Sequence, residues 1–348
     1  MSQRVFNLND TISVIVPAFN GGQDLRRCLA SLVAADPGPL EILVVLDGGE
    51  DDGEALEREF AVKVLRLEEQ GGPARARNAG ARVAKGEVLF FVDADVVVPP
   101  DLFSGVSQVF AGDPTLAGVI GSYDDKPDVD NFIGQYRNLL HHYVHQNANT
   151  KVDIFWGACG ALRAEAFRAV GGFDESYRRP SVEDIEMGYR LSQAGYKVCL
   201  QKDLQVKHLK RWTAVNMVRT DFYQRALPWT KLIHTKSGMV NNLNLNYGSR
   251  ASVSLVLGQV VGIVASLLWP AVLPWIAASG LLVGVINMPL YWFFWRKRGL
   301  FFALRALPLH WFYYLYSGVA FIIGTLRHWS GVDRQVGAPT AKDLEAPE

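Results

Sequence analysis

The stretch EVLFFVDADVVVPPD, residues 87–101, decides how this chain is read. From Val88 to Val92 it is an unbroken apolar run, the pattern of a strand buried on both faces of a parallel sheet. Two carboxylates, Asp93 and Asp95, follow with only Ala94 between them. One acid at a strand end serves as a turn residue. Two at alternate positions repel each other unless something cationic sits beside them. The strand therefore stops at a site.

Similar apolar runs precede it at TISVIVP (11–17), LEILVVLD (40–47) and VKVLRL (62–67). Between the first two, Leu25, Cys28, Leu29, Leu32 and Val33 recur at helical spacing within 24–35. A second helix is predicted over 73–85, ended by Gly86. Strand and helix in alternation predict a doubly wound α/β sheet, which binds ligands beyond the C-terminal ends of its strands. Asp47, Asp93 and Asp95 all fall at such ends. Mg²⁺ is held by one or two carboxylates plus substrate phosphates. An acid closing the second strand also hydrogen-bonds a base or ribose. Both readings of Asp47 stay open on the pattern alone.

The 348 residues carry 35 basic and 35 acidic side chains, and that balance hides two unlike halves. Residues 1 to about 250 read as a soluble α/β protein, whereas 251–295 contain no Asp, Glu, Lys or Arg. Cys28, Cys159 and Cys199 lie far apart without CxxC spacing, so reduced, unpaired thiols are expected. The opening MSQRVFNLND has no apolar core, so no secretory signal is read there and the first half is expected in the cytoplasm.

From 200 to 250 nine Lys or Arg face two acids, Asp203 and Asp221, with Trp212, Phe222, Tyr223 and Trp229 interleaved. Beside a membrane span this composition suits an anionic lipid surface better than nucleic acid, and no nucleic-acid partner is expected. A solvated basic face is the plain alternative. One crossing takes about 20 residues, so the charge-free stretch predicts a hairpin over 252–295, turning at Pro270 and Pro274. A third span is placed at about 309–326, with Arg305 and Pro308 left at the interface. Arg250 before the hairpin, and Arg296, Lys297 and Arg298 after it, put both of its ends in the cytoplasm. The expected organisation is a catalytic domain over 1–210, an interfacial segment over 211–250, a transmembrane region over 251–327 and a disordered tail over 328–348.

Six motifs then stand in order: VIVPAFN (14–20), LDGGEDDG (46–53), GGPARARNAG (71–80), VDAD (92–95), GGFDE (171–175) and EDIEMGYRL (183–191). Over roughly residues 10–210 the chain resembles the family-2 inverting glycosyltransferases of GT-A fold. The resemblance implies a nucleotide-sugar donor with UDP, GDP or dTDP, and Mg²⁺ or Mn²⁺ as cofactor. It implies that Pro17, Ala18, Phe19 and Asn20 line the base pocket, that Asp47 binds the nucleobase, and that Arg77 and Asn78 contact the nucleotide or its phosphates. Asp93 would serve the ribose or the metal shell, Asp95 the metal, and His208 of VKHLK a further metal or diphosphate contact. Trp156 and Gly157, in WGACGALR (156–163), match a segment where backbone approaches the sugar-diphosphate. Leu46 stands where many relatives carry a first Asp, so the nucleobase stays open.

The same resemblance makes Asp184 the general base, with Glu183 in reserve. Ser181, three residues ahead, also predicts a capping box in which the acid serves free backbone N–H groups. His141 and His145 lie one helical turn apart, but without a HExxH glutamate or an obvious third ligand they read as a surface or acceptor-site helix. The implied activity is transfer to a lipid-linked or membrane-associated acceptor at the cell (inner) membrane. Two alternatives are weighed: a processive polysaccharide synthase, disfavoured because QxxRW is absent and QRALPW (224–229) is the nearest string, and a non-catalytic sugar-nucleotide-binding membrane protein.

Overall fold

The computed structural model describes residues 11–237 and 243–331, so the expected tail lies outside the described residues from 332 onward. These residues form two compact units: 11–129 with 149–211, and 130–148 with 212–331. The division after Arg211 follows the change in composition. Residues 130–148, read from the sequence as part of the first domain, pack in the second unit instead.

The first unit is built on nine strands: β1 Ile12–Ala18, β2 Glu41–Leu46, β3 Lys63–Arg66, β4 Val88–Val92, β5 Val96–Val97, β6 Leu116–Tyr123, β7 Lys151–Val152, β8 Cys159–Arg163 and β9 Lys197–His208. Their order is β3-β2-β1-β4-β8-β6-β9-β5, with β7 on β9. β1 to β4 are parallel, and their registers pair Ala18 with Leu46 and Ile15 with Phe91. β8 then runs antiparallel to both β4 and β6, so the sheet is mixed rather than purely parallel. Val14, Val16, Val44 and Phe90 pack beneath helices Gly22–Val33 and Leu102–Gly112, through Leu25, Leu29, Phe103 and Phe110.

The helix predicted over 73–85 spans Pro73–Val83, and its last residue leads into extended backbone at Ala84 rather than a glycine cap. Gly86 has another reason to be glycine: a Cβ there would lie 2.3 Å from the carbonyl oxygen of Thr11. It is a close-packing position between helix and sheet. The three thiols are unpaired, as read from their spacing.

The second unit is helical. Helix Phe132–Asn147 is capped by Asn131, whose side chain accepts from Gly134 N–H. The segment read as a membrane-interface stretch forms a helical run from Ala214 to Ser237, π-helical over Thr220–Ala226 and Ile233–Ser237. Helices Tyr247–Ser266 and Leu300–Trp329 are long and apolar enough to cross a membrane. Between them, Pro270–Ile286 and Met288–Arg298 meet at a 59° bend. Pro289, just past the break, lacks the N–H that would bond back across it. The sequence reading placed Arg305 and Pro308 at the interface, and the helix runs continuously from Leu300 through Pro308. Arg305 is accommodated over the ring of Phe132 at 4.1 Å.

Candidate active site

The C-terminal ends of β1, β2 and β4 bring Asn20, Asp47 and Asp93 to one edge of the sheet. At its centre lies Arg77, on helix Pro73–Val83 and only 4 % exposed. Its guanidinium donates to Glu183 Oε1 at 2.8 Å and to Asp93 Oδ1 at 2.7 Å. Burial works against its charge, but Asp93 and Glu183 outweigh that and keep Arg77 firmly protonated. The Phe173 ring lies 5.3 Å below it. Its Nε has no hydrogen-bond partner among the described residues.

Glu183 and Asp184 open the helix Glu183–Gln193 with different environments. Glu183 is buried and uses both oxygens, one on Arg77 and one on Ser181 N–H at 2.8 Å. Asp184 is half-buried and accepts from Gly157 N–H at 3.0 Å and Ile185 N–H at 2.8 Å. Burial first, and then the Glu183 charge, push its carboxyl up to about 6, against the opposing pull of Arg77. The capping box foreseen at Ser181 does not form, because the cap position is Val182 and no side chain caps the helix. Gly157 lies tight against the same guanidinium: a Cβ there would stand 3.0 Å from Arg77 Cζ, so Arg77 would have to give by a few tenths of an ångström.

From Trp156 the site continues through stacked rings. Trp156 meets Tyr123 edge-on at 4.8 Å, and Tyr123 stacks on His208 at 4.3 Å with 10° between the planes. β5 pairs with the end of β9, setting Val96 opposite His208 and His208 Nε2 3.4 Å from Asp95 Oδ2. Burial raises the Asp95 carboxyl, but His208 and Lys210 outweigh it and hold it below the usual carboxylate range. Among the described residues no three His, Cys, Asp or Glu side chains gather as a metal cluster. Of the set read from the sequence, Asp95 and His208 come together, while Asp93 pairs with Arg77.

Two nucleotide contacts implied by the resemblance have other partners here. Asn78 donates to Phe173 O and Glu175 Oε1, both at 2.9 Å, and accepts from Phe173 N–H at 2.9 Å. Both amide hydrogens are spent on GGFDE, which leaves no donor for a phosphate. Asp47 is 4 % exposed and accepts from Gly71 N–H at 2.8 Å and Gly72 N–H at 2.7 Å, fixing the loop before helix Pro73–Val83. Pro17 and Ala18 end β1, and Phe19 beyond them is 47 % exposed. Asn20 accepts from Glu50 N–H at 2.8 Å.

Sequence reasoning missed Asp51 and Tyr123. Asp51 accepts from Gly21 N–H at 2.8 Å and Gly22 N–H at 3.0 Å, clipping the loops after β1 and β2 together. The acid run of GGEDDG carried that signal. Tyr123 carried none, because its role comes only from the pairing of β6 with β9.

Residues 13–171 match the model of the glycosyl transferase family 2. Validoxylamine A glucosyltransferase of Streptomyces hygroscopicus subsp. limoneus is 28% identical over 226 residues, covering 55% of this chain and 50% of that protein. Glycosyltransferase GlyG of Streptococcus pneumoniae serotype 4 is 34% identical over 129 residues, 35% of this chain and 42% of its own length. The chain spans about half the length of the curated relatives it matches. In fold it is similar to the mannosyltransferase PcManGT from Pyrobaculum calidifontis, solved with GDP-Man and Mn²⁺: the TM-score is 0.51 at 19% identity, over 91% of this chain and 86% of that one. With the mixed sheet and the acids at its strand ends, these matches make residues 13–171 of this chain similar to glycosyl transferase family 2 domains, on a GT-A-like fold.

Proposed function

We propose that this protein transfers a sugar from a nucleotide-sugar (UDP-, GDP- or dTDP-linked) to a hydroxyl of a lipid-linked or membrane-associated acceptor, with inversion at the anomeric carbon. Asp184 carries the reading. Its carboxyl, raised to about 6, is ionised at neutral pH yet basic enough to take a proton. The acceptor oxygen attacks the anomeric carbon while its proton passes to Asp184. The bond from that carbon to the diphosphate oxygen breaks, and the electron pair leaves with the diphosphate. Asp184 then releases the proton to water. One displacement without a carboxylate nucleophile inverts the sugar. Glu183 has both oxygens engaged, which supports Asp184 over it.

Arg77 positions this base rather than touching the phosphates: it anchors Glu183 and backs Gly157, whose N–H holds Asp184. Pro17, Ala18, Phe19 and Asn20 form the base-side wall, and Asp47 serves it by fixing the loop at Gly71 and Gly72. One carboxylate and one imidazole, Asp95 and His208, lie 3.4 Å apart and would hold a Mg²⁺ or Mn²⁺. When bound, that ion neutralises charge on the leaving diphosphate. Release of nucleoside diphosphate should fall to background in EDTA and return with Mn²⁺ or Mg²⁺. Full activity in EDTA removes the metal assignment, and no turnover of any of the three donor classes sinks the transferase reading.

The two long apolar helices support membrane association. We place the family 2 domain on the cytoplasmic face of the cell membrane and count three crossings, with the bent pair as one and Arg296, Lys297 and Arg298 inside. A cysteine replacing Ala341 should then react with an impermeant maleimide in intact cells. Reaction only after lysis would mean two crossings and a cytoplasmic tail.

A further inference from the structure

A cavity of about 200 Å³ lies within the helical unit, walled by Phe132–Asn147, the start of Tyr247–Ser266, the break at Asn287 and Leu300–Trp329. Leu140, Val144, Ile286 and Leu290 make its apolar side. Tyr143, Asn244, Asn287, His310 and Tyr314 make its polar side, and among the described residues no Lys, Arg, Asp or Glu lines it.

Part of that polar side is spent on building the cavity. Tyr314 donates to Asn287 Oδ1 at 2.7 Å, and Asn287 donates to Ser252 Oγ at 3.0 Å. The rest is left over. His310, 2 % exposed, pairs Nδ1 with the Tyr291 hydroxyl at 3.2 Å, and its Nε2 has no hydrogen-bond partner among the described residues. Nor, among those residues, do the Tyr143 phenol and the Asn244 amide. A buried polar group is rarely left unmatched, so the free Nε2 of His310 points to a ligand or water, while the half-buried Tyr143 and the exposed Asn244 stand beside it at the cavity's open side. A phosphate or carboxylate here would be desolvated with no Lys or Arg to pair it. Hydroxyl groups, which donate and accept without charge, match all three side chains.

The walls also say what such a ligand is attached to. Gly248 and Ser249 belong to one candidate span, and His310 and Tyr314 to the other. Both helices expose apolar side chains, Val261 and Val264 on the first and Leu304, Phe312 and Ile322 on the second. A hydroxylated group in the cavity can therefore carry an apolar tail along these faces. We propose that this cavity binds the uncharged, polyhydroxylated headgroup of a membrane glycolipid.

The test uses the full chain in a polyoxyethylene detergent, which has no sugar headgroup, with native mass spectrometry reading retained lipid. Monoglucosyl diacylglycerol should be retained in preference to diacylglycerol and to phosphatidic acid. The double variant Tyr143→Phe with Asn244→Ala should bind it about 10-fold more weakly, the loss of two modest hydrogen bonds. Its melting temperature should stay at the wild-type value, since neither side chain has a hydrogen-bond partner among the described residues. Equal retention of diacylglycerol, equal or better retention of phosphatidic acid, or full retention by the double variant would each overturn the proposal. No sugar donor is present, so the outcome is independent of whether the transferase reading stands.

Discussion

Asp184→Asn is expected to lower kcat by about 10²–10⁴ while nucleotide-sugar binding survives, the loss typical of a missing general base. The substitution keeps the shape of the side chain and one oxygen for Gly157 or Ile185 N–H, the two groups that hold it. What it removes is the proton acceptor. The donor contacts proposed above lie at the strand ends rather than at Asp184, so KM for the donor should move little. The comparison with Glu183→Gln separates base from scaffold. Glu183 anchors Arg77 and Ser181 N–H, so its variant should lose stability as well as rate. A near-wild-type Asp184→Asn beside a folded but inactive Glu183→Gln would exchange their roles.

The second large effect is on the fold of the site. Arg77→Met leaves the buried Glu183 carboxylate and the partly exposed Asp93 without their shared cation. Breaking a buried pair by removing one partner costs about 3–5 kcal/mol, and here Glu183 dominates because Asp93 retains access to water. Urea unfolding measures this, and a variant unchanged in stability would mean that the pairs are not formed in solution. The same substitution has a signature in pH. Asp184 works as a base only when ionised, so wild-type kcat/KM should fall as the pH drops through about 6. Arg77 is one of the groups holding that carboxyl down, so without it the acid limb should move to higher pH. Arg77→Lys, which keeps a charge, should shift it less. A profile flat between about pH 5 and 8 would mean that Asp184 is not the titrating base.

Much of the first unit was legible in advance, because apolar runs at 12–18, 41–46 and 88–92 can be buried on both faces in only one kind of sheet. The second half of the sheet was not. β6 carries Gly118, Gly121 and Ser122 inside a fully buried strand, and β9 alternates irregularly, so neither shows a clean period. Antiparallel β8 between β4 and β6 brings Trp156 and Gly157 to the site, and pairing alone decides that. In the helical unit, composition marked the apolar segments, but neither the bend at Asn287 nor the continuity of Leu300–Trp329 through Pro308 could be read from it.

The sequence by itself determined which acids were available: Asp47, Asp93 and Asp95 at strand ends, and the Glu183–Asp184 pair at the start of a helix. Only the tertiary structure decided what each one does. Arg77 and Asn78 are neighbours in ARNAG, yet one holds Glu183, 106 positions away, and the other is spent on Phe173 and Glu175. Asp93 and Asp95, two residues apart on one strand end, part company between Arg77 and His208. Periodicity reports which face of an element is buried. The partner of a charge is set by which distant elements the sheet brings alongside, and a charge moved from water into that interior must take the counter-charge it finds there.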